Sequence, residues 1–345
     1  MMKKWSSGLL LVIGIAAGAV IVALVKSEIP SQFSSFQPIL LVFDATHDRL
    51  YAAIPTEDSR ASRLIVFSHP GGEGAHPGPS FDLPGICSGL FYDDGSETLF
   101  VANATGHELL IFDRIDPRSS TRPTRVLQKF NFPAGAYLDR LGERLFVADA
   151  HPGSLLVFDH PKEVQGESRP EITISGERTG LNGPFSIAAD TERARLYVSN
   201  FDGVLVFNLR DLRELPDRLP LPSGTLARSL SFDPSSRRLY IATPMLRSFF
   251  IYDGERLQQV EIEGADGVFP FSVTLDPKND RLYLAGTKQE VGVIEQAGGH
   301  DLKRQPPEKT KRSVDRWIRW GQQSPPPSEH LAPPSGVPGM ARRPL

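Results

Sequence analysis

The stretch Gly183-Pro184-Phe185-Ser186-Ile187-Ala188-Ala189-Asp190, resumed after residues 191–195 by Leu196-Tyr197-Val198-Ser199-Asn200, decides the fold. It reads as a short strand ending in Asp, a tight turn and a second strand, because the runs are β-branched and aromatic and too short for helices. The Asp190 carboxylate is placed to accept backbone N–H groups and start the turn. The same pattern stands at Asp44…Leu50-Tyr51, Asp93…Leu99-Phe100, Asp139…Leu145-Phe146, Asp233…Leu239-Tyr240 and Asp276…Leu282-Tyr283. Asp and Leu are always six residues apart, and the aromatics recur at intervals of 49, 46, 51, 43 and 43. Short strands repeated at that period predict a radial array.

A third strand follows in each copy: Leu64-Ile65-Val66-Phe67, Leu109-Leu110-Ile111-Phe112, Leu155-Leu156-Val157-Phe158, Val204-Leu205-Val206-Phe207, Phe249-Phe250-Ile251-Tyr252 and Val291-Gly292-Val293-Ile294. An outer fourth strand is plainest at Glu171-Ile172-Thr173-Ile174 and Gln258-Gln259-Val260-Glu261-Ile262. Four strands in meander order make a propeller blade, and a blade with two apolar faces requires neighbours on both sides. The expected fold is therefore all-β, a six-bladed β-propeller of four-stranded antiparallel blades. The sixth copy lacks an evident outer strand, which residues 28–36 or 300–305 are expected to supply, closing the ring. The expected division is 1–26 as a membrane anchor or signal segment, 27–302 as the propeller and 303–345 as a disordered Pro-rich basic tail.

Charge separates these parts. Of the net −3, the first 26 residues carry +3 and residues 303–345 carry +6, leaving −12 on the propeller. Such an acidic disc cannot neutralise phosphates, so nucleic acid is not an expected partner. The single Cys, Cys87, excludes an intrachain disulfide and, within an inner strand, reads as a small buried hydrophobe.

Met1-Met2-Lys3-Lys4 precedes an uncharged apolar run from Gly8 to Val25. Eighteen residues in a helix span roughly 27 Å, close to a bilayer's hydrocarbon thickness. The two lysines predict a cytoplasmic amino terminus and an extracytoplasmic propeller. The alternative is secretion after cleavage near Ala17-Gly18-Ala19. In the tail, Arg316-Trp317-Ile318-Arg319-Trp320 combines cations with amphipathic rings, as either a membrane- or partner-docking segment or a solvated stretch with a transient helix.

The copies, with Pro184-Phe185-Ser186-Ile187-Ala188-Ala189-Asp190 and Arg195-Leu196-Tyr197-Val198-Ser199-Asn200 as the clearest, resemble the NHL and YVTN classes of propeller repeat over about three quarters of the chain. That resemblance implies the fold; such repeats serve as binding scaffolds, lyases and lactonases alike.

Propeller ligands commonly meet the channel mouth. In register, Asn103, Asp149, Asn200, Thr243 and Gly286 stand together after the second strand, with Asp202 nearby and Arg228 at the start of an inner strand. Asn103, Asp149, Asn200, Asp202 and Arg228 are the candidate ligand-binding residues. They could hold a polar ligand or, through oxygens, a divalent cation such as calcium, or simply cap turns. No cofactor or resident metal is assigned. Similarity to gluconolactonase-like propellers implies a metal held by a Glu with Asn and Asp; Asn103, Asp149 and Asn200 match in type, but no Glu stands at an equivalent inner position. The loop at 68–79 holds His69, Glu73 and His76 among Gly and Pro and reads as a flexible peripheral loop rather than a zinc site. The leading expectation is a membrane-tethered scaffold binding a protein or small polar ligand, with no catalytic residues; the alternative is a metal-dependent lactonase.

Overall fold

Each recurrent Asp closes the same turn. Asp44 accepts the N–H groups of Thr46 and His47, both at 3.0 Å. Asp93 accepts from Ser96, Asp139 from Gly142, Asp190 from Arg193, Asp233 from Ser235 and Asp276 from Asn279. Four residues after each Asp comes a left-handed residue: Asp48, Glu97, Glu143, Ala194, Arg237 and Asp280, with φ between 47° and 57°. The cap and the reversal must keep their separation, which is why the interval in the sequence never varies.

The structure, a computed structural model, describes residues 38–72, 75–119, 121–263, 269–286, 290–295 and 310–319. Its strands form six sheets. Blade 1 holds β1 (Leu40–Asp44), β2 (Arg49–Pro55), β3 (Ser62–Ser68) and β4 (Pro77–Asp82). Blade 2 holds β5 (Cys87–Asp93), β6 (Thr98–Asn103), β7 (Glu108–Asp113) and β8 (Arg125–Leu127). Blade 3 holds β9 (Pro133–Asp139), β10 (Arg144–Asp149), β11 (Ser154–Asp159) and β12 (Ile172–Ser175). Blade 4 holds β13 (Ile187–Asp190), β14 (Arg195–Asn200), β15 (Gly203–Asn208) and β16 (Asp217–Arg218). Blade 5 holds β17 (Ser229–Asp233), β18 (Arg238–Thr243), β19 (Ser248–Tyr252) and β20 (Leu257–Glu263), extended by β24 (Thr310–Ser313). Blade 6 holds β21 (Ser272–Asp276), β22 (Arg281–Ala285), β23 (Glu290–Glu295) and β25 (Arg316–Arg319). Every pairing is antiparallel except that of β24 with β20.

The core lies between blades, not within them. One apolar cluster fills each of the six interfaces. The second-strand aromatic of one blade stacks on the inner strand of the next, as in Tyr51–Tyr92, Tyr197–Phe232 and Tyr283–Phe43, with centroids 5.7, 6.1 and 5.4 Å apart. Serines stitch the inner strands together: Ser186, Ser229 and Ser272 accept the N–H of Leu230, Val273 and Leu41 in the following blade. Gly89 and Gly135 take the same register position in blades 2 and 3. A Cβ there would stand only 2.0 and 2.2 Å from the carbonyl oxygens of Ala134 and Phe185, so those blades approach more closely.

The ring shuts between blades 6 and 1 by the same contacts. Besides Ser272, Thr274 accepts the N–H of Phe43 at 3.1 Å, and Lys278 donates to the carbonyl of Ala45. Residues 28–36 and 300–305, expected to supply the missing outer strand, lie outside the described residues. The strand that completes blade 6 is β25, drawn from the segment expected to be disordered or a transient helix. Its pairing with β23 covers an edge that would otherwise expose unpaired N–H and C=O groups. Ile318, 3 % exposed, enters the interface between blades 6 and 1.

Arg316 donates to the carbonyl of Gly71 at 2.7 Å, and His69 bonds Asp48 at 2.7 Å. The loop after β3 is thus tied to blade 6 rather than standing free at the periphery. Among the described residues no helix is long and apolar enough to cross a membrane; the apolar run 8–25 lies outside them.

Candidate functional site

The six inner strands surround a central cavity of about 650 Å³. At one end it opens between the Asp turns, where Asp94, Arg140, Leu141, Thr191 and Glu192 form the rim. Leu141 is 87 % exposed there. The rim is braced from blade to blade: Asp94 accepts the N–H of Thr46, Arg140 pairs with Asp93 at 3.2 Å, and Glu192 pairs with Arg237 at 2.6 Å.

Described residues obstruct the other end. Ala134, Phe185 and Leu226 pack together there, with Phe132 and Phe201 against them. Over this layer lies Arg228. Its guanidinium stands 4.5 Å from the centroid of the Phe185 ring and donates to the carbonyl of Ser88 at 2.8 Å. Arg228 leads into the inner strand of blade 5, and Ser88 belongs to blade 2, directly across the ring. The side chain therefore crosses the axis and turns a through-channel into a cup. Burial pulls its pKa down to about 10, so it stays a cation at neutral pH.

The five residues singled out from the sequence do not converge. Only Arg228 lines the cup. Asn103, Asp149 and Asn200 lie at the obstructed end, each buried and bonded within its own blade. Asn103 accepts from Gly106 at 3.2 Å and donates to Glu108 at 2.9 Å. Asp149 takes the N–H of Asn131 at 2.9 Å and that of Phe132. Burial pushes its carboxyl pKa up, against the opposing pull of those two N–H groups. Asn200 accepts from Asn182 and donates to Gly180, both at 2.8 Å, and donates to Asp202 at 2.7 Å. Asp202 is exposed and pairs with Arg218 at 3.0 Å.

Asp149 and Asn200 hold the loops that enter β9 and β13, whereas Asn103 holds the turn between β6 and β7. They do not present a shared set of oxygens. Among the described residues, no three His, Cys, Asp or Glu side chains form a group fit for a metal ion. Cys87 is buried, and burial pushes its thiol pKa up to about 12, far from thiolate reactivity at neutral pH.

Sequence reasoning did not pick out the rim or the Ser186, Ser229 and Ser272 ring. The serine ring carried a visible signal, since all three stand four residues before the turn Asp. No protein-family model matches the chain, and no curated protein matches it.

Proposed function

We propose that this chain is a membrane-tethered, extracytoplasmic β-propeller that binds a small polar ligand or partner group in its central cup and carries no catalytic constellation. One observation carries the reading: the axial cavity is open at one end and floored at the other by a half-buried cation, as a pocket with few well-placed polar groups should be. The apolar run behind Lys3 and Lys4 supports the tether. The test is a thermal-shift screen of small polar compounds on the full chain in detergent, repeated on Ser231→Phe, which narrows the cup. Hits that stabilise the wild type and lose their effect in the variant are expected. Hits indifferent to Ser231→Phe would place binding elsewhere. A phosphatase fused after residue 345 should be active only outside the cytoplasm; an inactive fusion would reject the topology.

A further inference from the structure

We propose that the cup selects small molecules bearing a carboxylate, which enter carboxylate first and are held by Arg228 at the floor. The inference rests on the cup as the binding site and names the ligand class. A guanidinium removed from bulk water is costly unless an anion or several acceptors compensate it. Among the described residues no acid pairs with Arg228, and its side chain makes one hydrogen bond, to Ser88. That bond engages one nitrogen and the Phe185 ring supports one face, which leaves further N–H groups of this cavity-lining side chain free to donate. A planar carboxylate matches such a fork with two parallel bonds. A phosphate dianion would bring a second charge with no second cation to meet it, since Arg228 is the sole Lys or Arg on the floor among the described residues.

The acidic surroundings do not oppose this. Each turn aspartate bonds its own turn through at least one oxygen, Asp93 also meets Arg140, and Asp94 and Glu192 are engaged at the rim with Thr46 and Arg237; the buried Asp190 Oδ2 that lacks a partner stands at the turn end of β13, a strand's length from Arg228. The rim lies six residues along an inner strand from Arg228, roughly 20 Å away. Exposed rim charges at that distance are largely screened in physiological salt. They instead disfavour anions that stay at the mouth, so only a molecule slender enough to reach the floor gains the pairing.

The experiment uses the full chain in detergent at fixed ionic strength, with hexanoate, hexanamide and inorganic phosphate as probes and calorimetry as the readout. Hexanoate is expected to bind at least tenfold more tightly than hexanamide, and Arg228→Met to weaken it at least tenfold while Arg228→Lys keeps part of the affinity. Should Arg228→Met fail to fold, phenylglyoxal footprinting of the wild type replaces it. Hexanoate should then slow modification of Arg228 at least tenfold and leave exposed Arg118 unchanged.

Equal binding of hexanoate and hexanamide would overturn the carboxylate inference and leave the cup as a neutral-ligand site. Displacement of hexanoate by equimolar phosphate would overturn the preference for a carboxylate. If neither organic probe binds, the inference fails, and the Ser231→Phe screen decides separately whether the cup binds anything.

Discussion

Asp149 and Asn200 occupy the same register position and differ by one atom, yet each is fitted to its own loop. Both Asp149 oxygens accept N–H groups, from Asn131 and Phe132. The Asn200 amide faces one N–H, from Asn182, and one carbonyl, from Gly180. Exchanging them therefore sets donor against donor or acceptor against acceptor in a buried place. Asp149→Asn and Asn200→Asp should each cost about 1–3 kcal/mol of stability, measured by urea unfolding. A change below about 0.5 kcal/mol in both would show that the loops do not depend on these bonds. The residue types were legible as turn formers; their lack of convergence was not, because it depends on loop paths that repeat register does not encode. Arg228 was legible as a candidate for the same reason, but its partner Ser88 lies 140 residues away on the opposite blade. No local pattern announces such a contact.

At the scale of elements, inner, second and third strands could be read directly, since the Asp cap and the buried Leu-aromatic pair recur in every blade. Outer strands were harder, because they bury few side chains and four of them, β8, β12, β16 and β25, have four residues or fewer. In β16 both residues are exposed. In β25 the buried side chain among those described is Ile318, preceded by Arg316 and Trp317, which gives the segment the look of a docking motif. The strand assignment gives a sharp expectation. Ile318→Ala should cost about 2–4 kcal/mol, as deletion of a buried branched side chain does. Termination after residue 309 should cost more, since it also removes β24, β25 and the Arg316 bond to the loop after β3. Truncated protein melting within 1 °C of the full chain would refute a structural role for these strands.

At the scale of the molecule, no strand from the amino-terminal side crosses to blade 6 among the described residues. The seam between blades 6 and 1 relies on apolar packing, Ser272, Thr274 and Lys278, much as the other five interfaces rely on packing and cross-blade polar contacts. No interface is privileged, so the ring should tolerate being opened elsewhere. A permutant beginning at residue 183, with residues 319 and 38 joined by a Gly/Ser linker, should fold to the same far-ultraviolet spectrum and melt cooperatively. Loss of cooperativity would mean that the native order of blades matters to closure.

The late position of β25 has a consequence for biosynthesis. A ribosome has released five finished blades and most of the sixth before residues 316–319 appear, so the growing polypeptide spends that interval with β23 as a bare edge. A message cut short between residues 296 and 316 would yield a protein with nearly every residue of the wheel and an exposed adhesive rib. Such a product would be drawn to chaperones and proteases, and survival in the cell would report whether translation had passed β25.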